Sequence, residues 1–434
     1  IEELKTRILT TLGLILVYRL GTEVVLPGID PHMLNALKAQ TQSGVLGLLD
    51  MFSGGAFSNA SVFALGIMQY ISASIVVQLL GIAVPYFQRL QKEGESGRRK
   101  INQITRYLTL VILVLQGSAY LTNLYAQVPA EAFVLTGAFF KISSIVIMAA
   151  GSMFVLWLGE RITDKGIGNG VSIIIMIGII ARLPFAFFAE LTSRVTQQGG
   201  GLVALLIELI LLFLVFCGTI MLVQGTRKVP VQYAKRIVGN KQYGGVRQYI
   251  PLKINAAGVM PIIFAQAIML LPISLSNYAN SESFSGFASA MSNFTGFWYN
   301  GVFFVMIVAF TYFYTAITVN PMQMSEDMKK NGGFIPGVKP GRKTMEFLDT
   351  IMSRITLPGS IFLGIVAILP AFAQISGVNH QFAQFYGGTS LLILVGVVLD
   401  TLQQIESHLL MRHYDGLMKS GRIKGKNPGG PAAY

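Results

Sequence analysis

The sequence 85–106, PYFQRLQKEGESGRRKINQITR, is the stretch that decides the fold. It concentrates six basic residues between two long apolar runs. Basic residues between segments of membrane length are typical of loops held on the cytoplasmic side of a membrane. The preceding run, DMFSGGAFSNASVFALGIMQYISASIVVQLL at 50–80, is apolar but interrupted by small residues. An interrupted apolar segment followed by a basic cytoplasmic loop favours a membrane pore or carrier over a soluble enzyme.

The composition also indicates a membrane protein. Hydrophobic residues make up 53% of the 434 residues and charged residues only 12%, whereas soluble domains carry about 25% charged residues. Several apolar runs reach the roughly 20 residues that a helix needs to cross the hydrocarbon core. No cleavable signal peptide is predicted, because the first apolar run is long and no small-residue cleavage site follows it. The single cysteine, Cys217, lies in an apolar run and is expected to be a packing or lipid-facing residue.

The apolar runs predict ten membrane spans. An even number of spans places both ends of the chain on one side, and 28 of the 33 lysines and arginines then fall on that side. The exceptions are Arg19 in the first span and, on the opposite side, Lys38, Lys141, Arg182 and Arg194. This bias predicts that both termini lie in the cytoplasm. The predicted spans are 6–25, 61–84, 104–125, 137–159, 167–188, 201–223, 254–274, 299–319, 355–375 and 389–405.

We predict an all-α membrane protein of two five-span halves, 1–195 and 196–411, with a cytoplasmic tail at 412–434. An odd number of spans in each half would invert the second half relative to the first. The segment 46–59 is apolar but too short to span, and small residues interrupt it. Broken backbone at membrane depth is tolerated only inside protein or beside water. A short re-entrant helix is therefore expected there, and the alternative is a loop that lies on the membrane surface.

Two predicted cytoplasmic loops are longer than orientation in a membrane requires. The loop 225–253 carries seven basic residues and no acidic one, and the loop 321–354 contains glycine-rich turns around Phe334 and Pro336. Topology alone explains part of their charge. Long basic loops that project into the cytoplasm also suit a large anionic partner, such as ribosomal RNA or an acidic protein surface.

The sequence lacks the motifs of common enzyme and metal sites. It contains no P-loop, no HExxH and no Cys/His metal spacing, so no catalytic residue, cofactor or metal is predicted. GIGNG at 166–170 is interpreted as the entry to a membrane helix, because no strand precedes it. Ionisable residues within the spans are few: Arg19, Glu208, for which no partner is evident, and Asp400 near a helix end. Their scarcity argues against a proton-coupled carrier.

The motifs taken together resemble the SecY family, the central subunits of bacterial protein-conducting channels. KEGESGRRK at 92–100, followed by TRY at 105–107, is the most specific match, and FSGGA with YISASI adds an independent one. Further matches run in order along the chain: FALGI, GIGNG, YAKR, LK-N-AGV-P, NP, FIPGVKPG and GGTSLLI. The resemblance implies ten helices in two halves clamped around an hourglass pore that is plugged from the outer side. It also implies a location in the bacterial cytoplasmic membrane.

The resemblance implies roles for particular residues. A ring of aliphatic side chains that narrows the pore is expected at Ile67, Ile71, Val171, Ile175, Ile263 and Ile393. The plug is expected at about 48–58, with Phe52, Ser53, Gly54 and Gly55 at its core. The lateral gate, a side exit into lipid between spans 2 and 3 and spans 7 and 8, is expected to contain Ser72, Gln116 and Asn255. Docking of the SecA motor and the ribosome is expected at Lys235, Arg236 and Arg354.

The function implied by the resemblance is a passive, gated conduit for unfolded polypeptide. Signal sequences and nascent chains would enter it, and apolar segments would leave sideways into lipid. The implied partners are SecE, SecG, SecA, the ribosome and its RNA, with SecD/SecF and YidC as further candidates. The alternatives are a secondary transporter with inverted repeats and a membrane scaffold without a conduit. One departure from the family is Gln69, where proline is usual, so the helix there is expected to be straighter or to gain a side-chain hydrogen bond.

Overall fold

A computed structural model describes residues 2–34, 37–38, 47, 50–135, 137–196, 201–233, 236–238, 241–243, 247–276 and 293–419. Within these residues the chain is mainly helical. In chain order the helices are α1 (Glu2–Thr22), α2 (Met68–Ala83), α3 (Pro85–Lys92), α4 (Glu95–Gln127), α5 (Ala138–Lys165), α6 (Gly170–Thr196), α7 (Gly201–Gln224), α8 (Met260–Ser276), α9 (Phe297–Thr318), α10 (Pro321–Lys330), α11 (Arg342–Ile375), α12 (His380–Ala383) and α13 (Gly388–Lys419).

Ten of these helices coincide with the ten predicted spans, and only α3, α10 and α12 do not. Seven helical stretches in the described residues are long and apolar enough to cross a membrane without further assumption. The helices α2 and α8 are shorter, with 16 and 17 residues in the part that the structure describes. Ten helices thus overlap the predicted spans in position, and several of them extend beyond the apolar segment.

The second predicted span begins later than the apolar run suggested. Residues 53–67 pass through a series of turns, and α2 begins only at Met68. Gly66 has a φ of +59°, a left-handed conformation that glycine adopts without strain. An apolar run cannot by itself distinguish a helix from buried turns, because both bury the same side chains. The predicted start at residue 61 was therefore wrong.

The basic stretch 85–106 is a helical hairpin. Val84 is extended and Pro85 begins α3, which is bent by 101° from α2. A residue before proline disfavours the helical conformation, so this break follows from the sequence. The chain then reverses at Gly94, with a φ of +73°. A side chain at Gly97 would overlap the Leu90 carbonyl oxygen, so α3 and α4 can approach only because glycine is present there.

The two long basic loops contain strands and pack together. The first contains β1 (Thr226–Tyr233), β2 (Arg236–Val238), β3 (Lys241–Tyr243) and β4 (Arg247–Lys253), and the second contributes β5 (Gly333–Phe334). The strand β1 pairs antiparallel with both β4 and β5. Val229 and Val231 point from β1 into an apolar cluster that includes Leu348 of α11. These loops therefore form one small folded unit.

Three apolar clusters hold the helices together. One contains only first-half residues, around Leu113 and Leu124 of α4, and another only second-half residues, around Phe303 and Ile307 of α9. The third, which we call the central cluster, contains side chains from both halves, including Ile67, Ile175 and Ile393. The two halves thus share apolar packing chiefly at the middle of the molecule.

Candidate functional site

A cavity of about 640 Å³ opens beside the central cluster. Its lining includes five of the six residues expected in the pore ring: Ile71, Val171, Ile175, Ile263 and Ile393. The sixth, Ile67, is buried in the central cluster, and its carbonyl accepts the Ile71 N–H at 3.2 Å. Ile67 therefore lies one turn before Ile71, at the position that immediately precedes α2. The structure brings residues from four separate helices, α2, α6, α8 and α13, to the cavity and the central cluster beside it.

Another part of the cavity lining is polar and charged. It includes Asn102, Glu160, Asp164, Lys253 and Asp400. In the predicted topology, the start of α4 and the end of α5 both lie on the cytoplasmic side. The cavity is then a vestibule that is polar toward the cytoplasm and aliphatic toward the middle of the membrane. An aliphatic narrowing disfavours water and ions because it offers them no hydrogen-bond partners.

One face of α6 connects the constriction to the re-entrant segment. Val171, Ile175, Gly178 and Arg182 follow the 4-3-4 spacing that places residues on one side of a helix. The first two line the cavity. A side chain at Gly178 would lie 3.0 Å from the Phe52 carbonyl oxygen. The re-entrant segment can therefore pack directly against α6 only because residue 178 has no side chain.

The predicted plug is buried in the protein. Phe52, Ser53, Gly54 and Gly55 are all buried, which favours the re-entrant interpretation over a loop on the membrane surface. Gly54 and Gly55 have φ values of +67° and +95°, where residues with a side chain would be strained. Residues 50–52 are helical but 53–60 form turns, so the described part of the segment is less helical than predicted. Residues 46, 48 and 49 of the predicted segment lie outside the described residues.

Two helices hold the backbone of the plug by hydrogen bonds. On α1, the Tyr18 hydroxyl donates to the Ser53 carbonyl at 3.1 Å, and Arg19 Nη1 donates to the Gly54 carbonyl at 2.8 Å. On α4, the Tyr120 hydroxyl donates to the Phe57 carbonyl at 2.8 Å. Arg19, identified from the sequence only as a charge within the first span, is thus a plug contact.

An ion pair fastens the plug to α6. Arg182 pairs with Asp50, whose side chain is only 6% exposed, and Arg182 Nη2 also donates to Ser58 Oγ at 3.0 Å. The other Asp50 oxygen accepts the Ser58 N–H at 2.8 Å. From the sequence, Arg182 was evident only as an exception to the charge bias. The signal that could have found it is its position on the same face of α6 as Val171 and Ile175.

Within the described residues, no hydrogen bond joins the residues expected at the lateral gate to one another. Gln116 lies on α4 and its Oε1 accepts Gln69 Nε2 at 2.8 Å. Asn255 lies in a turn before α8, lines the cavity, and its Oδ1 has no hydrogen-bond partner among the described residues. Ser72 is half-buried on α2.

Gln69 makes the side-chain hydrogen bond that was one of the two expectations for this departure from the family. It is the second residue of α2, in the first turn. The N–H that proline lacks is not needed there, because first-turn amides have no helical carbonyl to bond. Glutamine and proline are therefore both compatible with the start of this helix, and the glutamine adds a hydrogen bond to Gln116 on α4.

The expected docking residues lie on the loops. Lys235 is outside the described residues, and Arg236 is the first residue of β2. Arg354 is exposed on α11, three turns after that helix begins. The second basic loop, predicted to extend to residue 354, ends earlier because α11 begins at Arg342.

Glu208 has a partner that the sequence analysis did not identify. It pairs with Arg194, and Arg194 Nε also donates to Glu190 Oε1 at 2.7 Å. Glu190 Oε2 accepts the Asn379 N–H at 2.7 Å, and Arg194 Nη2 donates to the Gly377 carbonyl at 2.9 Å. This buried cluster ties the end of α6 to the start of α7 and to the α11–α12 connection.

These features define a helical, multispanning membrane protein with an aliphatic-lined cavity and a buried re-entrant segment. A family model described as SecY matches residues 61–402. Protein translocase subunit SecY of Streptomyces scabiei is 41% identical over 434 residues, which cover 96% of this chain and 97% of that protein. The Mycobacterium bovis subunit of the same name is 40% identical over 435 residues, with coverage of 96% and 97%. The chain belongs to the SecY family.

Solved structures of similar fold are channels. The structure described as "The structure of a protein conducting channel" has a TM-score of 0.60 at 16% identity, and the match covers 93% of this chain and 92% of that chain. Sec61 in the canine ribosome-channel complex from the endoplasmic reticulum has a TM-score of 0.56 at 16% identity, with the same coverage of both chains. At these identities the likeness shows the fold alone, and it confirms the predicted fold class.

Proposed function

We propose that this chain is the channel subunit of a protein translocase in the bacterial cytoplasmic membrane, with both termini in the cytoplasm. It moves unfolded polypeptides across the membrane and releases transmembrane segments sideways into lipid. The observation that carries the proposal is a cavity lined by five of the six proposed ring residues, beside a cluster that also contains Phe52 of the proposed plug. Membership of the SecY family supports the same function.

The constriction suits a substrate of unspecified sequence. Isoleucine and valine side chains make no hydrogen bonds, so they demand no particular partner from a passing polypeptide. The six proposed ring residues are Ile67, Ile71, Val171, Ile175, Ile263 and Ile393. At rest the same side chains exclude water, and the plug, with Phe52 to Gly55 at its core, closes the pore from the outer side. The constriction thus seals the pore and also tolerates varied substrates.

The constriction argues against a secondary transporter. Such a protein needs polar or charged groups near the membrane midplane to bind its substrate and coupling ion. In the described residues, the proposed ring residues that line the cavity are all aliphatic. The buried charges Glu190, Arg194 and Glu208 are paired with one another at the ends of α6 and α7. We therefore favour a conduit over a carrier.

The partners that we propose follow from the family and from the basic cytoplasmic unit. SecE and SecG would complete the membrane complex, and SecD/SecF and YidC are further candidates. SecA and the ribosome would dock on the strands of the first basic loop and on exposed Arg354. Lys235 and Arg236 belong to the same proposed surface. Positive charge on a folded loop unit attracts RNA phosphates and acidic protein surfaces.

Reconstitution tests the function directly. The chain is assembled with SecE and SecG in lipid vesicles, and SecA, ATP and a precursor with a signal sequence are added outside. We expect ATP-dependent accumulation of precursor that protease cannot reach. The controls omit ATP or use a precursor without its signal sequence. An assembled complex that protects no precursor would contradict the proposed function.

A further inference from the structure

A hydrogen bond crosses the seam between the two halves. The Tyr314 hydroxyl on α9 donates to Gln78 Oε1 on α2 at 2.9 Å. The family resemblance places the lateral gate between these same pairs of helices, but neither residue is among the gate positions that it implies. The bond lies one turn beyond Ser74, which lines the vestibule, and so on the cytoplasmic part of the seam.

Both partners are held in position by their own half of the protein. Gln78 Nε2 donates to Ser74 Oγ at 3.4 Å, one turn back on α2, and this fixes which way the amide points. The Tyr314 ring lies 6.1 Å from the ring of Phe264 on α8, which in turn stacks on Phe310 at 5.7 Å. Because the side chains are already ordered, forming the bond costs little additional conformational entropy.

The seam offers little else to hold it. The apolar cluster around Leu113 and Leu124 contains first-half residues only, and the cluster around Phe303 and Ile307 contains second-half residues only. Among the described clusters, only the central one contains residues of both halves. Within the described residues, the Tyr314–Gln78 bond is the only side-chain hydrogen bond between α2 and either α8 or α9, so it is a large share of the polar contact across this seam.

We infer that the Tyr314–Gln78 hydrogen bond is a latch that sets how apolar a polypeptide segment must be to part the seam. This inference rests on the proposed function. A segment that enters the seam separates the hydroxyl from the amide, and its apolar side chains offer neither group a new partner. Only segments with enough favourable lipid contact overcome this loss. The latch is thus a specificity determinant that acts through the opening of the gate.

The test compares variants in membranes that contain the assembled complex. Test segments of graded hydrophobicity are fused to a reporter, and the ratio of membrane-inserted to fully translocated product is measured. Tyr314→Phe removes only the hydroxyl, and Gln78→Leu removes its acceptor. Interhelical hydrogen bonds in membranes have modest strength, so we expect each change to raise the ratio about threefold for a segment near the threshold.

The pairing predicts a result that general loosening of the helices would not give. The double variant should raise the ratio no more than either single variant, because each change alone removes the whole bond. Tyr312→Phe is the matched control: Tyr312 lies on the same helix, is exposed, and its hydroxyl is 3.5 Å from the Ser353 carbonyl. We expect this control to behave as the parent does.

Two outcomes would overturn the latch: equal ratios for Tyr314→Phe and Tyr312→Phe, or additive effects of Tyr314→Phe and Gln78→Leu. Either outcome counts only if the parent protein inserts and translocates the test segments normally. If the parent itself neither inserts nor translocates any test segment, the proposed function fails instead. A disulfide between Gln78→Cys and Tyr314→Cys, made in a Cys217→Ser background, adds an independent check. It should block insertion until it is reduced, and unimpaired insertion by the oxidised protein would also contradict the latch.

Discussion

Replacing Arg182 with glutamine tests how the plug is held. The change keeps most of the side-chain length but removes the charge that faces Asp50. Asp50 is 6% exposed and would keep only the Ser58 N–H as a described partner for its carboxylate. Hydrogen bonds to charged groups contribute about 1.5–3 kcal/mol. Because the Arg182 side chain is 32% exposed, water replaces part of the interaction, and we use this range rather than the larger cost of a fully buried pair.

This free energy predicts a measurable shift in plug position. Each 1.4 kcal/mol changes an equilibrium about tenfold, so the ratio of displaced to seated plug should rise by roughly 10- to 150-fold. Ala56→Cys in a Cys217→Ser background reports the change, since residue 56 is fully buried when the plug is seated. An impermeant thiol reagent is added from the outer side, and its rate of reaction is measured. We expect Arg182→Gln to accelerate labelling by a comparable factor.

A second variant identifies the cause of the acceleration. Adding Asp50→Asn to Arg182→Gln removes the unpaired carboxylate, so labelling should be slower than with Arg182→Gln alone. Arg99→Gln is the control, because it breaks an exposed pair with Glu95 that contributes little. Labelling of Arg182→Gln at the parent's rate would refute the reasoning. So would a double variant that labels faster than either single one.

Two further predictions concern the constriction and the cytoplasmic surface. Ile71→Asn together with Ile393→Asn should let ions pass at rest in planar bilayers, because the amides give water hydrogen-bond partners. As a control, a channel with valine at both positions should pass no ions at rest. If the asparagine variant is folded and still passes no current, the ring is not the barrier. Arg354→Glu should reduce SecA-driven export at least tenfold without reducing the amount of protein in the membrane, while Arg354→Lys should retain most export. Normal export by Arg354→Glu, measured as precursor processing in cells, would leave Arg354 with a topological role only.

The sequence predicted the helices well because membrane spans need long apolar segments. All ten predicted spans coincide with a helix in the described residues. The predictions failed where helices and other structures bury the same kinds of residue. Residues 61–67 are apolar but form turns, and α11 begins 13 residues before its predicted apolar span at 355. Apolar content marks what lies in lipid or protein, and it does not mark where a helix begins.

The polar contacts were harder to predict, because their partners are far apart in the sequence. Asp50 and Arg182 are separated by 132 positions, and Arg182 had been counted only as evidence of topology. Glu208 had no evident partner for a different reason: Arg194 lies only 14 positions away, but on the preceding helix, across the connection between two spans. The positions of the pore ring came from the family resemblance, since i,i+4 apolar pairs recur in every span. The alternation of Val229 and Val231 indicates a strand in the basic loop, but the prediction for this loop used only its charge.

The single face of α6 has a mechanical consequence. Pro184 is the proline within this helix, and it cannot donate a hydrogen bond to the Ile180 carbonyl, so the helix is weakened across the turn that contains Arg182. The stretch from Val171 to Gly178 lies before this break. In the proposed channel, a polypeptide that pushes Val171 and Ile175 aside would therefore also move Gly178, which packs against the backbone of the proposed plug. Widening of the pore and release of its seal would then be one movement, and the substrate would need no separate signal to remove the plug.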